Sequence, residues 1–274
     1  MHDGIAGVSS ADQTLTAKDR FKAYRRKKVK RLGKRLTRWL SDFFARQSLV
    51  GDTPFFDKTH FGFTNILEEN WEPIRDELVE VMKGREAIPS FHEVSPDQYR
   101  ISTGDNWKTF VLFGFKKKME KNCSLCPQTT RVLEQIPELQ TAWFSMITPN
   151  YHIPAHRGVT RGILTCHLGL IVPTDNEKCR IRVEDEIHHW ERGKTIVFDD
   201  SLDHEVWNDT PEDRVVLLMQ FTRPMRPLGQ FVNNAFLTLV KMTAYYKEPK
   251  RNMEKFEDRF QAAVRRAESF QIKD

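Results

Sequence analysis

No apolar run in the 274-residue chain approaches the roughly 20 residues that a transmembrane helix needs. The first residues, MHDGIAGVSSADQTLTAKD, lack the apolar core of an export signal. The expectation is therefore a cytoplasmic protein. Cysteine is scarce, with only Cys123, Cys126, Cys166 and Cys179. Two disulfides are arithmetically available, but without an export signal reduced thiols are expected. Cys123 and Cys126 form a CxxC, and no second CxxC exists to complete a structural zinc set. Internal repeats are also missing. Acidic residues are nearly absent from one segment: residues 18–38 carry twelve Lys or Arg against the single acid Asp19. That segment contributes +11 to a chain whose net charge is +5, so the remainder sums to −6. The basicity belongs to one element and not to the body.

What is present is an ordinary globular composition, 39% hydrophobic and 30% charged. The length allows one sizeable domain with accessory helices, or two small domains. From about residue 17 to 47, Phe21, Tyr24, Val29, Leu32, Leu36, Trp39, Leu40, Phe43 and Phe44 recur at helical steps between basic residues. Gly51 to Pro54 ends that pattern. A second helix is predicted over Ile66 to Lys83, and a third over Thr129 to Gln135 after Cys126-Pro127. The middle of the chain changes character. Residues 142–148, 163–172, 179–183, 195–198, 204–208 and 215–221 are short apolar or alternating runs separated by Gly, Pro, Asn and Asp. Such spacing predicts a β-sandwich or jelly roll. Helical patterns return at about 230–246 and 253–270. The fold class expected is a mainly β core with flanking helices, a cupin-like double-stranded β-helix. Residues 1–50 would form a basic amphipathic helix, 51–223 the core domain with its own N-terminal helices, and 224–274 a C-terminal helical extension.

Five of the nine histidines lie between positions 152 and 189. His156 sits in NYHIPAHRG between two strand-like runs, and His204 in FDDSLDHEVW at the start of a later one. They are 48 residues apart and could meet only across a folded sheet. Imidazole suits first-row metals, and oxygen-activating iron(II) sites need open coordination positions. On spacing alone, two hydrogen-bonded rim histidines explain the pattern at least as well. His152 is separated from His156 by Pro154, so the two are not one helical face, and His152 reads as rim. His188 and His189 fall in a charged hairpin and read as solvated. Trp107, Trp143, Trp190 and Trp207 are core by default, with Trp107 best placed to line a pocket.

The wider string is more specific. HRG at 156–158, HLGLIVP at 167–173, CRIRV, WERGKTIVFDDSLDHEVWN and RVVLL at 214–218, with ENWEPIRDEL and GDNWKTFVLF upstream, resemble the aspartyl/asparaginyl β-hydroxylase family of 2-oxoglutarate oxygenases. The resemblance covers roughly residues 60–223. It implies that iron(II) is held by His156 and His204. It also implies that the co-substrate 2-oxoglutarate is anchored by Arg214, with His167 and Ser145 as further contacts and Trp107 lining the site. Arg suits the distal carboxylate because its planar fork bonds it bidentately. Dioxygen would then be used to hydroxylate an unactivated C–H bond. The carboxylate that often follows the first histidine by two residues is here Gly158, as in the animal peptidyl branch. Asp199, Asp200 and Asp203 read as loop structure, with a direct third ligand among them the lesser expectation. Where the family often has arginine two residues before the HLGL histidine, this chain has Thr165, and Arg161 is the candidate substitute. RPM at 223–225 and the helices after it resemble the bacterial branch that hydroxylates lipid acyl chains. The implied substrate is therefore a lipid acyl chain or an Asp/Asn side chain, free or peptidyl. Another metalloenzyme, such as a zinc-dependent hydrolase, or a non-catalytic binding module on the same fold are the rival classes. For residues 17–47 an anionic membrane surface and docking on the body are both open, with nucleic acid the weakest reading. A cytoplasmic enzyme peripheral to a membrane fits the first.

Overall fold

The computed structural model describes residues 39–271, without the side chains at 244–246 and 267–271. The basic helix expected over 17–47 is therefore described only from residue 39, and 39–47 is helical (α1). Its charged part lies outside the described residues. The described residues from 42 onward belong to one compact unit. Among the described residues no helix is long and apolar enough to cross a membrane.

The region predicted as one helix over Ile66–Lys83 is two, α2 (Phe63–Glu69) and α3 (Trp71–Met82). Asn70 makes the break: its side-chain amide donates to the Ile66 carbonyl at 2.8 Å, competing with the helical ladder. A short α4 (Phe91–Val94) follows, opened by a Ser90/Glu93 capping box. Later come α5 (Glu120–Leu125) and α6 (Pro127–Leu133), the latter with proline in its first turn.

Among the described residues eleven strands build the core: β1 (Phe55–Phe56), β2 (Trp107–Gly114), β3 (Lys117–Lys118), β4 (Leu139–Ile147), β5 (Tyr151–His156), β6 (Ile163–Ile171), β7 (Cys179–Val183), β8 (Glu186–His189), β9 (Thr195–Phe198), β10 (His204–Asn208) and β11 (Arg214–Thr222). They form two antiparallel sheets, ordered β1-β9-β6-β11-β4-β2-β3 and β5-β10-β7-β8. The expected mainly β core with flanking helices is what is found. Two long helices, α7 (Pro227–Lys241) and α8 (Ala244–Gln271), close the chain.

The period-two alternation of strands sorts the large sheet into two faces. On β11, Val215, Leu217 and Met219 join the cluster that packs against α2 and α3, whereas Val216 and Leu218 join the cluster between the sheets. Arg214 and Gln220 share the parity of the second set. On β6, Leu164, Cys166 and Leu168 go to the helical side, which leaves Thr165 and His167 facing the small sheet. All four cysteines are buried and free, and burial pushes every thiol upward, so none is a ready thiolate.

Candidate active site

Between the sheets lies a cavity of about 260 Å³ that reaches from the strands to α7 and α8. Both motif histidines stand on its wall, and both come from the small sheet. His156 ends β5, His204 opens β10, and the two are register partners. Between His204 and Val206 the pairing shifts, so that Ile153 and His156, three residues apart, oppose residues only two apart. This bulge contains Pro154, which has no N–H to give a ladder and is tolerated because β5 is an edge strand. The extra residue turns His156 to the same face as Ile153, and both line the cavity. The imidazole centroids are 4.1 Å apart.

Hydrogen bonding decides which nitrogen each ring offers. His156 Nδ1 lies 2.8 Å from the Pro154 carbonyl, and His204 Nδ1 lies 3.0 Å from that of Leu202. A carbonyl can only accept, so each Nδ1 carries the proton and each Nε2 keeps a lone pair. Burial, then the neighbouring His204, lowers the His156 pKa to about 4, and burial likewise lowers that of His204. Both rings are neutral near pH 7, the state a metal requires.

The large sheet supplies the opposite chemistry. Arg214 is 1% exposed, its guanidinium 4.5 Å above the Trp190 ring. Nε and Nη1 have no hydrogen-bond partner. Burial pulls its pKa down to about 10, which leaves it charged. His167 is also buried. Trp190 Nε1 donates to His167 Nδ1 at 3.2 Å, and an indole N–H can only donate. The His167 proton therefore sits on Nε2, which is buried and has no partner. Burial and then the Arg214 charge hold this ring neutral. Ser145 Oγ accepts from Trp107 Nε1 at 3.0 Å, which places these two expected residues together on adjacent strands. Trp107 is itself stacked on Phe91 at 4.1 Å. The wall thus holds unpaired buried donors on one sheet and two neutral imidazole acceptors on the other.

The three aspartates before His204 divide their roles. Asp199 is buried in an ion pair with Arg223 and caps Ser201. Asp203 pairs with Arg182 at 3.1 Å. Asp200 lines the cavity, with Oδ2 accepting from Gln220 at 2.8 Å. Burial and the adjacent Asp199 push its carboxyl up to about 6. A Cβ placed on Gly158 would fall 2.6 Å from Asp200 Oδ1, so Asp200 fills the space a side chain at 158 would need. Among the described residues no group of three or more His, Cys, Asp or Glu is arranged to hold a metal. Arg161 does not line the cavity: it pairs with Asp52 at 3.1 Å and faces Asp199. Thr165 lines the cavity with a buried Oγ1 beside the Asp200 carboxyl.

At the rim, His152 stacks on Trp207 and meets Glu205 at 3.1 Å. His188, expected to be solvated, is half-buried and stacks on Phe55 at 3.7 Å. Trp190, expected only as core, and Gln220, not singled out in the sequence, orient His167 and Asp200. Their only sequence signal was placement inside the matched motif and strand.

Comparison with known proteins gives these residues a context. The aspartyl/asparaginyl beta-hydroxylase profile matches residues 68–224. The ornithine lipid ester-linked acyl 2-hydroxylase of Rhizobium tropici is 40% identical over 224 residues, which is 82% of this chain and 80% of that protein. Human aspartyl/asparaginyl beta-hydroxylase is 32% identical over 179 residues, 62% of this chain but only 23% of that protein. The human aspartate beta-hydroxylase domain-containing protein 2 is 28% identical over 185 residues, 63% of this chain and 48% of that protein. With a profile match over more than half its length, and all of the cavity's strand-borne polar residues inside or beside it, the chain belongs to the aspartyl/asparaginyl β-hydroxylase family.

Proposed function

We propose that this chain is an iron(II)- and 2-oxoglutarate-dependent dioxygenase that hydroxylates the acyl chain of a lipid. The observation that carries the reading is the pair of unpartnered buried donors, Arg214 and His167. A buried charge without a partner is costly, and it persists where a ligand completes it. The distal carboxylate of 2-oxoglutarate matches a guanidinium fork with an adjacent N–H. His156 and His204 would hold the iron through Nε2, with their Nδ1 bonds to backbone fixing ring orientation. Bound iron, with the co-substrate and dioxygen, supplies the oxidising power that turns C–H into C–OH while 2-oxoglutarate leaves as succinate and CO₂. The chain's own work is to position and shield. Ser145, whose oxygen accepts from Trp107, keeps its hydroxyl proton free to donate towards the co-substrate. Apolar walls at Ile153, Ile181, Val206 and Leu218 keep water from the reacting atoms.

The choice of a lipid acyl chain over an Asp/Asn side chain rests on the outer half of the cavity. There Phe236, Leu237, Val240 and Met253 of α7 and α8 line a mainly apolar passage, with Lys241 its one charged side chain from these helices, and an acyl chain is what the name of the Rhizobium tropici relative gives as its substrate. Incubation with iron(II), 2-oxoglutarate and air, offering acylated lipids and Asp/Asn peptides side by side, tests this. An acyl chain that gains one oxygen atom is expected, and hydroxylation of the peptides alone would overturn the substrate assignment.

A further inference from the structure

Helix α7 is apolar on two faces. Its inner face carries Phe236, Leu237 and Val240 on the cavity wall. Buried Asn233 pins that face by donating to the Gly162 carbonyl at 2.8 Å. The other face carries Leu228, Phe231, Ala235, Leu239 and Met242, at steps of three and four that align them in one stripe. Its four large side chains are 61–72% exposed. A stripe of this length, about 20 Å at 1.5 Å per residue, would ordinarily be buried against protein.

The surroundings are cationic. No Asp or Glu occurs between Asp213 and Glu248. Exposed Arg226 flanks the stripe at its start and half-buried Lys241, which also reaches the cavity wall, at its end; among the described residues neither is paired with a carboxylate. Exposed Leu49 and Arg46 join the same end of the helix, where the Leu49 N–H donates to the Pro224 carbonyl and the Arg226 N–H to that of Gln47, both at 2.9 Å. An exposed apolar stripe edged by unpaired cations complements an anionic bilayer.

We propose that α7 seats the enzyme on an anionic membrane surface, with Leu228, Phe231, Leu239 and Met242 in the acyl boundary. The inner face of the same helix then guides an acyl chain towards His156 and His204. This purpose rests on the lipid-acyl reading, but the seating itself is measurable without turnover.

The test uses the full chain and vesicles of phosphatidylcholine with or without phosphatidylglycerol. Phe231 and Leu239 lie off the cavity wall, so the double variant Phe231→Ser, Leu239→Ser should keep its Tm and its oligomeric state. Its partition onto phosphatidylglycerol vesicles should fall at least tenfold. Partition within twofold of the parent overturns the proposal. So does a Tm several degrees lower, or a smaller assembly, since either would mean that residues 1–38 or a second copy cover the stripe. A local measurement guards against binding driven only by the basic segment 18–38. Phe231→Cys labelled with an environment-sensitive dye is selective, because all four native cysteines are buried. Its emission should shift to the blue when phosphatidylglycerol vesicles are added. No shift, or a blue-shifted emission before vesicles are added, overturns the proposal. Failure of hydroxylation with vesicle binding intact would count against the proposed function and leave the seating standing.

Discussion

A guanidinium buried without a carboxylate is the residue that most distinguishes this site from a packed core. Arg214 costs the metal-free protein the desolvation of a charge, and only a bound anion returns it. Arg214→Met should therefore leave the ligand-free protein as stable or more stable, by about 1–3 kcal/mol in chemical denaturation. The same change should weaken 2-oxoglutarate binding about tenfold to a hundredfold, the worth of a charge-assisted bond of about 1.5–3 kcal/mol. A variant that loses stability and keeps its affinity within twofold would show that Arg214 serves the core. Trp190→Phe probes the next layer: without the indole donor the His167 tautomer is no longer dictated, and the 2-oxoglutarate requirement should rise several-fold in a folded protein. Gly158→Asp is expected not to tighten iron binding by itself, because its Cβ meets Asp200. Combined with Asp200→Ala it should, a non-additivity that an iron titration of single and double variants would reveal. Tighter binding in the single variant would contradict that packing. At this scale much was legible: His156, His204, Arg214 and His167 could be named because they stand in recognisable strings, and they line the cavity together with Ser145. What could not be read was the partner each atom lacks, since orphaned donors exist only once three strands and Trp190 are assembled.

Elements are joined here by carboxylates from one helix capping the start of another. Glu77 of α3 accepts from the Gln128 and Thr129 N–H groups at 2.7 and 2.8 Å and from the Thr129 hydroxyl, closing the N-terminus of α6. Glu257 of α8 accepts from Lys121 and Asn122 at the start of α5. These satisfy helix donors that would otherwise be orphaned. Glu77→Ala should cost about 1–2 kcal/mol, the usual worth of an N-cap, read from a shifted urea midpoint, and no shift would mean that water replaces the cap without loss. Strand patterning announced β4, β6, β7, β9, β10 and β11 because each alternates or is wholly apolar. β5 escaped because Tyr151–His156 carries Pro154 and two histidines, and its strand character comes from edge pairing with β10 and a bulge. The break at Asn70 escaped for a similar reason: a helical apolar period continues through it, and only the side-chain bond to Ile66 shows the interruption.

At the scale of the whole molecule, two sheets keep opposite chemistries apart, neutral imidazoles on one and unpaired donors on the other. That arrangement links stability to pH. His156, His204 and His167 are held neutral when folded and can charge freely when unfolded, near pH 6.5. Below that value the unfolded chain gains protons that the folded one refuses, so their contribution is complete above about pH 6.5 and is lost towards pH 4. Asp200, pushed up to about 6, works in the opposite sense. The histidine part is therefore read by difference. The metal-free Tm should fall more steeply between pH 7 and 5 in the parent than in His156→Asn, His204→Asn, and equal slopes would contradict the burial described. The proposed reaction joins a two-histidine iron site and an Arg214-anchored 2-oxoglutarate at an acyl chain. Its most direct test is mass spectrometry after incubation under ¹⁸O₂ with iron(II), 2-oxoglutarate and acylated lipid, for the parent and a folded His204→Ala variant. The expected result is one ¹⁸O in the acyl product and one in succinate, both lost in the variant. A hydroxylated product without ¹⁸O, or one formed equally well by His204→Ala or without 2-oxoglutarate, would contradict it.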